Sequence, residues 1–168
     1  MRSFEIFQQI SPELANRIFH DLRTEEKDVY TTALSSLAAQ RKLRPVFIQK
    51  KRPEEQYAWL HKMAKLKLAD GIDEHLLQIW LMKAREEMLV IFLDLMAIDH
   101  DGEGAVEDLP ETLDAEKLPG AIEKLLGKFD AEEVAVYLHV FQMQRPGGWD
   151  ELSAELEKND KLSLPGGE

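Results

Sequence analysis

Residues 74 to 98 read EHLLQIWLMKAREEMLVIFLDLMAI, with apolar residues returning every three or four positions. That spacing puts Leu76, Leu77, Trp80, Leu81, Ala84, Met88, Leu89, Ile91, Phe92, Leu95 and Met96 on one broad helical arc. A strand would need alternation, and almost no stretch of the chain alternates. Lys83, Arg85, Glu86 and Glu87 interrupt the middle of this stretch, and ionised side chains at mid-bilayer are costly. The segment therefore reads as one long buried helix of a water-exposed protein, with shorter helices packed around it. The expected fold class is all-α: a compact bundle of five to seven helices around a long central helix at about 74–98.

Punctuation along the chain fits this class. Residues 4 to 9 read as a helical turn, and Ser11 with Pro12 reads as an N-cap followed by the first helical position. Thr24 reads as the start of a second helix whose apolar face holds Val29, Tyr30, Ala33, Leu34, Leu37 and Ala38. Arg44 is pushed away from helical geometry by Pro45, so RKLRPVFIQKKRP breaks the pattern. Pro53 opens a third helix expected to run to Asp70, with Gly71 as its stop and Asp73 as the cap of the long helix. Pro119 opens another, and Asp130 with Glu133 resembles a capping box for the next. Trp149, Leu152 and Leu156 mark a last short helix. At 168 residues the chain is expected to be a single helical domain, 1–168, with a hinge or loop at 99–115.

Composition narrows the chemistry. Without cysteine there is no disulfide, thiolate zinc site or cysteine nucleophile. No Glu-x-x-His, His-Glu-x-x-His, G-x-S-x-G or G-x-x-x-x-G-K-[ST] pattern occurs. An enzyme without a recognisable motif is thus the weakest of three functional readings. The N-terminal residues lack the apolar run of a signal peptide, so a cytoplasmic location is expected, with no membrane association.

The acidic loop DHDGEGAVE, residues 99–107, resembles the first part of an EF-hand. Asp99, Asp101 and Glu103 fall on ligand positions one, three and five, Gly104 on the sharp turn, and Glu107 on position nine. Calcium is the cofactor this likeness implies, and a cation-binding regulatory protein is the second functional reading. The likeness stops at Pro110, which stands where the bidentate glutamate closes a calcium loop. The bland reading is a helix C-terminus followed by an acidic turn, with His100 solvated within it. Glu132 and Glu133 likewise read as solvated or helix-start acids, and His139 as a core histidine.

Charge supplies the leading reading. Residues 1–69 hold 13 Lys and Arg against 8 Asp and Glu, a net of +5; the rest hold 8 against 24, a net of −16. Arg41, Lys42, Arg44, Lys50, Lys51 and Arg52 fall within twelve residues, interleaved with Leu43, Val46, Phe47 and Ile48. Such a segment is suited to grip phosphates, an acidic protein or the chain's own acidic half. Nucleic acid is disfavoured, because a net charge of −11 repels a polyanion. The expectation is a non-catalytic helical adaptor that binds another, acidic, protein through segment 41–52.

Overall fold

The computed structural model describes residues 1–67 and 71–166, and among them it is all-helical. Ten α-helices follow in order: α1 Ser3–Gln9, α2 Pro12–Glu25, α3 Lys27–Gln40, α4 Pro45–Gln49, α5 Pro53–Ala64, α6 Ile72–Ala84, α7 Glu86–Leu95, α8 Leu118–Lys128, α9 Ala131–Met143 and α10 Asp150–Lys158. A short 3₁₀ turn, Asp160–Leu162, closes the described chain. None of the described helices is long and apolar enough to cross a membrane. The chain divides into two units, one of residues 2–80 and one that takes in Met1 and the residues from Leu81 on.

In the first unit, α2 packs on α3 and α5, and α1 packs on α5. Phe7 and Phe19 stack at 6.0 Å between ring centres. Around them Leu14, Ile18, Leu22, Leu37, Leu60 and Met63 are buried. The His61 ring donates through Nε2 to the Phe7 carbonyl at 2.8 Å, which fastens α1 to α5. Trp80 is buried and donates its indole N–H to Asp21 Oδ2 at 3.0 Å.

The second unit gathers an aromatic cluster on α7 and α9. Phe92 meets Tyr137 and Phe141 edge to face at 5.5 and 5.3 Å, and Phe141 stacks on Trp149 at 4.8 Å. Edge-to-face and offset pairs suit the ring quadrupoles, so these contacts add to the burial itself. Leu125, Leu138, Leu152 and Leu162 complete this core.

Several elements differ from expectation for identifiable reasons. The continuous helix over 74–98 is two helices, broken at Arg85, whose backbone leaves helical geometry at φ −128 and ψ 27. Its guanidinium donates from Nε and an Nη to the two carboxylate oxygens of Glu133, both at 2.8 Å, and from the other Nη to the Ala84 carbonyl. Glu133 is therefore a buried ion-pair partner rather than a solvated helix-start acid. The break also resets the phase of the apolar arc: Leu93 is buried, while Leu95 is exposed. Asp130 does cap α9, accepting from the amides of Glu132 and Glu133.

Thr24 does not open a helix. Its hydroxyl donates back to the carbonyls of His20 and Asp21 inside α2, and the break falls at Glu26 instead. The helix expected to reach Asp70 ends at Ala64, and the Leu68–Asp70 part of that expectation lies outside the described residues. Asp73 sits in the first turn of α6, which begins at Ile72. The break at Arg85, with short α1 and α4, raises the number of described helices from the expected five to seven to ten, while the boundary expected at Thr24 moves to Glu26.

Two outcomes test this packing. Glu133→Ala leaves a guanidinium that is only 22% exposed without its fork partner, and should cost about 2–3 kcal/mol in urea denaturation. Burial lowers the pKa of His61 and of His139 below the ordinary histidine value near 6.5. The folded chain thus binds fewer protons than the unfolded one just below that pH. Melting temperature should fall as pH drops from 7 to 5.5, and the slope should shrink in His61→Phe.

Candidate interaction surface

The basic segment is a connection built from one strained helix end, one short helix and one locked turn. Lys42, at φ +56, ends α3 in the left-handed conformation usually given to glycine. Its amide and that of Leu43 donate to the carbonyls of Ala39 and Ala38 at 3.0 and 2.8 Å, the pattern of a Schellman cap. Arg44 is extended ahead of Pro45, which then begins α4. The α4–α5 turn is fixed by Gln56, whose Nε2 donates to the carbonyls of Gln49 and Lys51 at 3.1 and 3.0 Å. Gln56 in turn accepts from the Tyr30 hydroxyl at 2.7 Å, and burial pushes that hydroxyl's pKa well above its usual value.

This scaffold turns Ile48 inward and leaves Leu43, Val46 and Phe47 outside, Phe47 being 61% exposed. Three of the six large apolar side chains exposed among the described residues thus fall between positions 43 and 47. Arg41, Lys42, Arg44, Lys50, Lys51 and Arg52 are all exposed around them. Arg52 makes a solvated pair with Glu55 at 3.4 Å. Among the described residues the other five cations enter no ion pair.

The acidic loop has a different organisation. Asp101 Oδ1 accepts from the amides of Glu103 and Ala105 at 2.8 and 3.0 Å, and the Asp101 amide donates to the Ala105 carbonyl at 3.0 Å. These backbone amides hold the Asp101 carboxyl below the usual carboxylate range. Oδ1 of Asp101 is thereby engaged by its own turn. Asp99, Glu103 and Glu107 are exposed, and among the described residues no three Asp, Glu, His or Cys side chains gather as a metal cluster would. Asp99, Asp101 and Glu107 do line one open hollow of about 920 Å³ together with Asp108 and Asp114.

His100 is not solvated. Its side chain is only 10% exposed; Nε2 lies 2.7 Å from Asp94 Oδ1, and Nδ1 accepts the Gly102 amide at 3.0 Å. That pair of contacts assigns the neutral ring's proton to Nε2. The loop is further fastened where the Trp149 indole N–H donates to the Pro110 carbonyl at 2.9 Å and where Leu113 is buried.

Sequence reasoning identified the cations by their density but not the outward turn of Phe47. It also passed over Arg85 and Glu133, because their spacing of 48 residues leaves no local signal. No protein-family model, curated protein or solved structure matches the chain.

The acidic loop is built on its glycines. Gly104 sits at φ +95, and a Cβ there would lie 2.9 Å from Leu89 Cβ. Gly102 sits at φ +88 with open space around it. Gly104→Ala should cost about 2 kcal/mol or more, and Gly102→Ala about 1 kcal/mol, in matched denaturation curves. Equal costs would mean that the approach to Leu89 is not limiting.

Proposed function

We propose that the chain is a non-catalytic helical module, working in the cytoplasm, that binds an acidic protein through segment 41–52. The observation that supports this reading is the coincidence of exposed Leu43, Val46 and Phe47 with five cations that have no ion-pair partner among the described residues. An exposed apolar cluster rimmed by charge is the composition of a contact surface, with an aromatic at its centre and cations steering the encounter. The carboxylates of a partner answer the cations, and its apolar side chains answer Phe47.

A net charge of −11 disfavours a continuous polyanion such as nucleic acid more than an acidic protein, whose negative charge can be confined to the part that meets the basic face. Burying Phe47 against a partner contributes on the order of 1–3 kcal/mol, enough to make it an anchor.

Affinity capture followed by binding measurements on the purified partner tests the reading. Replacing Arg41, Lys42, Lys50 and Lys51 with Glu should weaken binding at least tenfold, and so should Phe47→Ala. Affinity of the unaltered chain should also fall as salt rises. A partner set and affinities unmoved by both variants would sink the proposal.

A further inference from the structure

A groove of about 570 Å³ lies beside the basic segment, between the end of α2, the first turns of α3, and the α4–α5 turn. Tyr30 and Leu34, both buried, form its floor; Arg23 and Lys27 stand at its mouth, and Thr31 and Gln49 at its sides. Among the described residues no carboxylate lines it. Arg23 and Lys27 are exposed, and neither enters an ion pair among the described residues.

The polar atoms on the floor are already engaged. The Tyr30 hydroxyl donates its proton to Gln56, and the Gln56 amide donates to the carbonyls of Gln49 and Lys51. What the floor offers an occupant is therefore carbon surface, while the mouth offers positive charge. A small polar anion finds no donor at the bottom. An apolar side chain fills the bottom, and carboxylates beside it meet the cations at the mouth. Gln49 belongs both to the groove and to the basic segment, so Lys50 and Lys51 follow directly along the chain from the groove wall.

We infer that this groove receives one large apolar side chain of an acidic peptide segment, whose flanking carboxylates run along Arg23, Lys27, Lys50 and Lys51. The inference rests on the reading of segment 41–52 as a partner surface and names the chemistry of the partner. The occupant is an extended or helical stretch with several Asp or Glu around a Leu, Ile, Phe or Trp.

Panning a random twelve-residue peptide display library against the full chain tests it. The enriched peptides are expected to carry that composition. The leading peptide, synthesised with a fluorophore, should bind at least tenfold more weakly to Lys27→Glu and to Thr31→Trp, which fills the groove. Circular dichroism checks that both variants fold, and Lys27→Glu alone decides if Thr31→Trp does not. Amide shifts of the labelled chain should move most at 23–34 and 49–56. Acidic peptides weakened by replacing Lys50 and Lys51 with Glu, yet indifferent to Lys27→Glu and Thr31→Trp, would overturn the groove while sparing the wider surface. Peptides indifferent to all these variants, enrichment of basic or neutral sequences, or none, would overturn both. Sedimentation with phosphatidylserine vesicles in place of peptide binding would likewise overturn the assignment to a peptide.

Discussion

The fork between Arg85 and Glu133 governs the unit that begins at Leu81. Two parallel N–H···O bonds of 2.8 Å join the start of α7 to the first turn of α9. Arg85 makes this fork from a backbone that has left helical geometry, so the break and the ion pair coincide at one residue. Burying a charge is costly unless it is paired, and Glu133 is 7% exposed. The aromatic cluster depends on the same constraint. Phe92 lies two turns beyond the break, and its edge-to-face contacts with Tyr137 and Phe141 require α7 and α9 in this register. A straight continuation of α6 would carry the apolar arc with Leu95 inward; the break carries Leu93 inward instead.

The two units carry different electrostatic characters. Residues 2–80 hold 13 Lys and Arg against 11 Asp and Glu, a net of +2; Met1 and the residues from 81 on hold 8 against 21, a net of −13. In the first, cations concentrate on segment 41–52 and at the mouth of the neighbouring groove. In the second, carboxylates concentrate on the loop after α7, where one of them organises the turn through backbone amides. Net charge alone would have recommended avoiding other anions everywhere. Its local distribution instead leaves one exposed cationic face on the first unit.

What was legible in the sequence was what local chemistry encodes. Ser11 accepts the Leu14 amide at 3.1 Å, and Pro12, Pro53 and Pro119 stand in the first turns of α2, α5 and α8. Apolar spacing at 3.6 residues per turn pointed to the all-α class and to most of the longer helices, but not to α4 or to the division of 74–98. The break at Arg85 was not legible, since Ala84, Arg85 and Glu86 are all good helix formers and the ion-pair partner of Arg85 sits on another helix. The same limit applies to the candidate site. Six cations in twelve residues are visible as letters, whereas the groove is assembled from four helices and exists only once they pack. In the acidic loop spacing suggested a cation site, and what it did not reveal is that Asp101 Oδ1 accepts two amides of its own turn.

Segment 41–52 also bears on how the chain meets proteases. Trypsin cleaves after Lys and Arg but not ahead of proline, so Pro45 and Pro53 shield Arg44 and Arg52, whereas Arg41, Lys42, Lys50 and Lys51 remain cleavable and exposed. These four bonds flank a helix of only five residues, and Lys42, at the end of the preceding helix, sits at positive φ. The proposed contact patch is thus also a soft spot, and a partner bound there would link occupancy to survival of the polypeptide at one place in the chain.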